Sequence, residues 1–255
     1  MSEPTEQTTI SFYREHTVSP LSEAIIRERP VEILVNGKRL ATIACTGIHL
    51  SELAAGHLRS IGVINVAEDI ETITVSPDSS WVDILTTDTT SVVAPPVESV
   101  ILSSGSRTRQ PETEGNPISS DVTISPRKVI AFMEELLTSS ELHRVTHGTH
   151  CSALADTERI LVSRDDIGRH NTIDMLGGYA LLSGIDCSDK IIVKTGRVSS
   201  EIARKAWALG TPIMVSHSVP TSEALDISRE AGITLIGHVR GGTFKVYTNE
   251  RRVRF

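Results

Sequence analysis

The chain has 255 residues, 39% of them hydrophobic and 22% charged, with a formal net charge of −7. That length and balance suit a soluble globular protein of one large or two smaller domains, and aromatics at 4% make its core aliphatic. The negative charge argues against general nucleic-acid binding, and no apolar run has the length of a membrane span or the pattern of a secretory signal.

Residues 1–9, MSEPTEQTT, are polar and read as a loose tail. VEILVNGKRLATIAC (31–45) is two β-prone runs around Asn36-Gly37, a strong hairpin signal. HLSELAAGHLRSIG (49–62) reads as a helix, with Leu50, Leu53, Ala54 and Leu58 on one face and Gly62 as its stop. Strands are expected at 70–76 and 81–86. SSGSRTRQPETEGNPISSD (103–121) is too polar to bury much and reads as a long loop. SPRKVIAFMEELLTSS (125–140) begins a helix, with Ser125 as N-cap and Pro126 at the first helical position. Beyond it, apolar strands at 159–163, 190–195, 212–216, 233–239 and 243–248 alternate with helices at 169–183, 199–209 and 221–231. This alternation predicts an α/β sheet, largely parallel, with helices on its faces. The expected division is a β-rich N-terminal part (1–102), a flexible loop (103–121) and an α/β core (122–255).

Ligands of such sheets bind beyond the carboxyl ends of the strands. After 190–195 come Thr195, Gly196 and Arg197, then Ser199 and Ser200. Gly196 permits a tight exit, the serines and first-turn amides can hold an anion, and Arg197 suits phosphate. A plain helix start would use a serine cap as well. After 212–216, Ser216, His217 and Ser218 line the same rim and Thr221 caps the next helix, with a solvated turn as the alternative. After 233–239, Arg240 precedes Gly241-Gly242. This pair lets a ligand approach the backbone but serves an ordinary hairpin turn equally. After 159–163, Asp166 and Gly168 lead into Arg169 and His170. Cations opening a helix oppose its dipole, so either a buried Asp–Arg pair or a bound phosphate should compensate. Asp174, one turn on, is spaced to fix the His170 tautomer.

The cysteines, Cys45, Cys151 and Cys187, are odd in number, widely spaced and without a CxxC. They read as free thiols of a cytoplasmic protein, with neither a thioredoxin motif nor a zinc knuckle. Cys45 and Cys187 look structural. Cys151 is either a small core residue beside Ala153 or a thiolate activated by a neighbouring histidine. His143, His147, His150 and Cys151 lie in a segment read as strand and loop, whose spacing does not converge them, so no metal site is expected.

Several stretches together resemble the FdhD (NarQ) family of formate dehydrogenase accessory proteins. They are VEILVNG, CTGIHLSELAAGHLRSIGVI, GTHCSALAD, DDIGRHNTIDMLGG, TGRVSSEIARKAWALGTPIMVSHSVPTSEALDISREAGITLIGHVRGG and KVYT, in order over nearly the whole chain. The resemblance implies a cytidine-deaminase-like α/β core with a smaller N-terminal part, in a homodimer. It implies a protein that takes sulfur from a cysteine desulfurase and passes it to the molybdenum cofactor required by formate dehydrogenase. That cofactor is the phosphate-rich bis-guanine-dinucleotide form, of which GDP-like nucleotides are partial mimics. The family's cofactor-binding segment matches His238, Val239, Arg240, Gly241, Gly242 and Thr243.

The family's persulfide cysteine belongs to a CxxC pair in the loop before the helix that starts here near Ser125. This chain has SSGSRTRQPETEG there, with no cysteine, and persulfide chemistry needs a sulfur nucleophile. Cys151 is the candidate substitute. Deaminase chemistry is excluded, because its H-x-E and P-C-x-x-C segments are missing. The readings that result are a sulfur-transferring accessory protein, a non-catalytic carrier or chaperone of the cofactor, and a generic nucleotide-binding α/β enzyme.

Overall fold

A computed structural model of the chain describes residues 3–88, 99–101 and 115–255. Its first element is a separate two-stranded ribbon, β1 (Thr5–Arg14) and β2 (Thr17–Ile26), paired antiparallel through ten residue pairs. The stretch expected as a loose tail is therefore largely strand. Its turn places Glu15 and His16 both at positive φ. Asn or Gly usually announces such a turn, and neither is present to do so.

A five-stranded sheet follows: β3 (Arg29–Val35), β4 (Lys38–Cys45), β5 (Ile70–Val75), β6 (Trp81–Thr86) and β7 (Ser99–Ile101), in the order β5-β6-β3-β4-β7. β3 and β4 form the expected hairpin, with Asn36 and Gly37 both at positive φ. Alternate residues Val31, Ile33 and Val35 are buried in one cluster with Leu53, Ala54 and Leu58 of α1 (Leu50–Ser60).

The larger unit holds α2 (Pro126–Ser139), α3 (Glu141–Thr146), β8 (His150–Ala155), β9 (Ile160–Asp166), α4 (Arg169–Leu182), β10 (Ile191–Lys194) and α5 (Ser200–Leu209). It closes with β11 (Ile213–Ser216), α6 (Ser222–Glu230), β12 (Thr234–Arg240) and β13 (Thr243–Thr248). Its six strands lie in the order β13-β12-β11-β10-β8-β9. β10, β11 and β12 are parallel neighbours, while β8 and β13 pair antiparallel. The sheet is thus mixed rather than largely parallel. The difference comes from β13, which returns antiparallel to β12, and from residues 141–155, where a short helix precedes the expected strand and that strand is inserted antiparallel between β10 and β9. Of the expected 103–121 loop, residues 103–114 lie outside the described residues, and 115–121 form neither helix nor strand.

One face of this sheet buries Leu154, Ile192, Met214 and Leu235 with α4, α5 and α6; the other buries Ala153, Val193, Val215 and Ile236 with Phe132 and Met133 of α2. The two units meet where α1 crosses α4 backbone to backbone. A Cβ on Gly56 would lie 1.7 Å from the Asp174 carbonyl, and one on Gly178 would lie 1.9 Å from the Glu52 carbonyl. Only glycine fits such a crossing. Arg164 of β9 adds a two-pronged contact to Glu52 of α1, at 2.5 and 2.6 Å.

Candidate functional site

β9 is antiparallel to β8, which is antiparallel to β10, so β9, β10, β11 and β12 all run one way. Their carboxyl ends therefore share one rim, with His150 entering β8 between them. The strand exits that the sequence marks as ligand-binding come together there.

The exit of β10 is the most built. Thr195 spends its hydroxyl on β8, accepting from the Cys151 amide at 3.0 Å and facing the Cys151 carbonyl at 3.4 Å. Gly196 turns the chain at φ +73°, and a Cβ there would sit 3.0 Å from the His150 ring. Arg197 is exposed. Ser199 occupies the N-cap of α5 without making a side-chain cap bond, and Ser200 opens the helix half-buried. Below this turn lies Lys194, fully buried. Its Nζ donates to the carbonyls of Thr195 (2.6 Å), Gly196 (3.0 Å) and Arg197 (3.2 Å). Burial first, and Arg169 second, lower this lysine to about 7. His150 is lowered to about 4 by burial, then by Lys194 and Arg169, so it is neutral at pH 7.

At the exit of β9, Asp166 is fully buried, and both of its oxygens are engaged. One accepts from the Thr46 amide and hydroxyl at 2.9 and 2.8 Å, the other from the Gly168 amide at 2.9 Å and Asn171 Nδ2 at 2.7 Å. Asn171 also donates to the Ala44 carbonyl. Asp166 is therefore a clamp between the two units and not an open ligand contact, and it is not the partner of Arg169. Burial raises its carboxyl, against those four donors. Arg169 sits half-buried at the start of α4, its guanidinium lowered by burial and then by Arg197, with Glu201 acting the other way. His170 is held by Glu201 of α5 at 2.9 Å and lies 3.5 Å from the Ser199 hydroxyl, both through Nε2. Its buried Nδ1 has no partner among the described residues. The expected contact from Asp174 is not made: Asp174 binds Lys205 of α5, with His57 at 3.8 Å.

The next two exits brace the first. Ser216 is buried, donates to the Gly196 carbonyl at 2.9 Å and accepts from the Ser218 amide at 3.1 Å, so it supports the turn from beneath. Val198 bridges Pro220, which lays the two exits side by side, and Thr221 caps α6 by accepting from the Ala224 amide. At the end of β12, Gly241 and Gly242 form a turn with φ +59° and +71°, and Thr243 donates to the Arg240 carbonyl. Arg240 is exposed and stands against His238, which itself holds a positive φ of 57°. Val239 is buried in the α2-side core and can offer a ligand only its backbone.

Cys151 does not fit the role of substitute nucleophile. It is fully buried, and burial pushes its thiol up to about 12. The thiol donates to the Ser140 hydroxyl at 3.0 Å, which donates in turn to Asp165 at 2.7 Å. Cys45 is likewise buried and raised to about 12, and Cys187 is buried and raised. No cluster of three metal-ligating side chains occurs among the described residues, and no helix among them is long and apolar enough to cross a membrane.

Sequence reasoning missed Lys194, His150 and Glu201 as members of this site. The only local signal for Lys194 is a lysine at the end of a strand otherwise made of Ile and Val, just before the Gly196 turn. The clamp from Thr46 had no signal at all, because it joins residues 120 positions apart.

Fold and rim together define an α/β protein with a cationic strand-exit face, coupled through α1 to a smaller β-rich unit. The sequence profile of the FdhD/NarQ family matches residues 26–254, and the chain belongs to that family. It is 36% identical over 249 residues to "Sulfur carrier protein FdhD" of Bacillus subtilis (strain 168), covering 95% of each chain. It is also 36% identical over 250 residues to the protein of the same name in Geobacillus kaustophilus, covering 96% of this chain and 95% of that one. A crystal structure from Desulfotalea psychrophila, described provisionally as a formate dehydrogenase accessory protein, shares the fold. The TM-score is 0.83 at 24% identity, over 98% of this chain and 100% of that one.

Proposed function

We propose that this chain serves formate dehydrogenase maturation by binding the molybdenum cofactor, in its bis-guanine-dinucleotide form, along the rim. The observation that carries this reading is the gathering of cationic side chains, among the described residues, at the β10 exit. Arg169, Lys194 and Arg197 converge there with Glu201 as the acidic group noted among them. Such a site attracts pyrophosphate. The buried open nitrogen of His170 and the exposed Arg240 extend the same face toward the segment 238–243. In this reading Arg197, Arg169 and the amides of the β10 exit hold phosphate, and the Gly241-Gly242 turn offers its backbone.

The relatives' name makes sulfur delivery the class of work. The buried thiols of this chain favour a cofactor carrier over a persulfide relay, since burial raises all three and leaves Cys45 and Cys151, at about 12, almost no thiolate at neutral pH. Sulfur then arrives on another molecule, and a cysteine desulfurase, formate dehydrogenase and a second copy of the chain are the expected partners. The test is incubation with a desulfurase and 35S-cysteine, alongside calorimetry with GDP and ADP. No retained label and a preference for GDP are expected. Label held by the folded chain would restore sulfur transfer through its own cysteine, and equal binding of GDP and ADP would favour a generic nucleotide site.

A further inference from the structure

We infer that Lys194 is the positioning residue of the rim: it turns three successive carbonyls inward so that the intervening amides face an incoming phosphate. The inference rests on the cofactor-binding reading above. Lys194 ends β10 with no exposed surface, and its ammonium has three N–H donors. All three go to the carbonyls of its own next three residues, Thr195, Gly196 and Arg197. In a trans peptide the N–H points opposite to the C=O. Drawing the Thr195 and Gly196 carbonyls inward therefore directs the Gly196 and Arg197 amides outward. Neither amide donates to any acceptor among the described residues. The next amide, Val198, is used on Val219 at 3.2 Å. Two successive outward amides around a glycine at φ +73° form a concavity of the kind that holds an anion. Ser216 donates to the Gly196 carbonyl from below and fixes the same orientation.

The electrostatics agree with this geometry. No carboxylate lies within ion-pair distance of Lys194 among the described residues. A buried ammonium held only by carbonyl dipoles is undercompensated. A phosphate seated above the turn supplies the missing charge without touching the lysine. The charged and titratable groups around this region are Arg169 and His170 of α4, His143 of α3, His150 of β8, and Arg197 and Glu201 beside the turn. His150 is neutral at assay pH. An anion that favours the ammonium form draws a proton onto Lys194 when it binds.

The test uses the full chain, GDP as probe and Lys194→Met, which keeps the unbranched stem as far as Cε and removes the ammonium. Calorimetry at pH 7.5 in buffers of different ionisation enthalpy should show uptake of roughly half a proton by the wild type. Folded Lys194→Met should bind GDP at least about tenfold more weakly and take up fewer protons than the wild type. Unchanged affinity, or unchanged uptake, in the folded variant overturns the inference while leaving the phosphate site in place. If the variant does not fold, absence of proton uptake by the wild type between pH 6.5 and 8 overturns it instead. Failure of the wild type to bind GDP at all removes the cofactor-binding reading and this inference with it.

Discussion

Replacing Gly178 with alanine should unseat the smaller unit from the larger one. A Cβ at this position would lie 1.9 Å from the Glu52 carbonyl, whereas ordinary contact begins near 3.4 Å. The α1 and α4 axes must therefore part by about 1.5 Å, and both sides of the clash are helical backbone that cannot rotate away. Overpacking of a tight core costs about 1–3 kcal/mol, and a rigid backbone contact belongs at or above the upper end. The separation also loosens Gly56 against Asp174 and strains the Arg164–Glu52 contact. We expect Gly178→Ala to lose at least about 3 kcal/mol, a large share of a typical domain's stability, read as a lower urea midpoint. Because α4 opens with Arg169 and His170, GDP affinity should fall as well. A variant with the wild-type midpoint and wild-type affinity would refute the crossing as described.

Arg197→Ala and Arg240→Ala should each weaken GDP binding by about 1.5–3 kcal/mol, the scale of a charged hydrogen bond; calorimetry showing unchanged affinity in both would remove the phosphate site. Asp166→Asn sets an amide N–H2 against one of two pairs of donors, so a loss of about 2–4 kcal/mol is expected; an unchanged urea midpoint would contradict the clamp. Lys194 titrates at about 7 in the fold and near ~10.4 when unfolded. The unfolded chain therefore binds more protons within that window, so the penalty is full below it and stability rises with pH, by up to about 1.4 kcal/mol per pH unit. Urea midpoints at pH 7, 8 and 9 should climb in the wild type relative to Lys194→Met, and parallel curves would count against a buried, depressed lysine.

The alternation of strand and helix from residue 159 onward was legible because short apolar runs and helix-forming stretches follow one another there, although of its three helices only α6 takes a side-chain cap and α4 is buried on nearly every side. Ser125, Thr221 and the Asn36-Gly37 turn all behave as their chemistry dictates. The rim was legible for a related reason: strand exits are short, and Gly196, Arg197 and Arg240 stand next to the strands they follow. What could not be read was long-range. Whether Lys194 faces solvent or the core depends on β8, which reaches its place beside β10 from another part of the chain and runs opposite to it. The role of Asp166 depends on Thr46, in another sheet. Charge at the mouth of α4 pointed to a compensating partner, and the partner of His170 proved to be Glu201 from the next helix rather than Asp174 on the same one. Gly56 and Gly178 look like ordinary weak points of helices until the helices are crossed.

The burial of the cysteines has a practical consequence. Cys45 belongs to the cluster between the five-stranded sheet and α1, Cys187 to the cluster beneath α4, α5 and α6, and Cys151 to the cluster under α2. Each hydrophobic layer thus contains one natural alkylation probe, silent while that layer is closed. The order in which the three sites take up iodoacetamide reports which layer breathes first, without any engineered label.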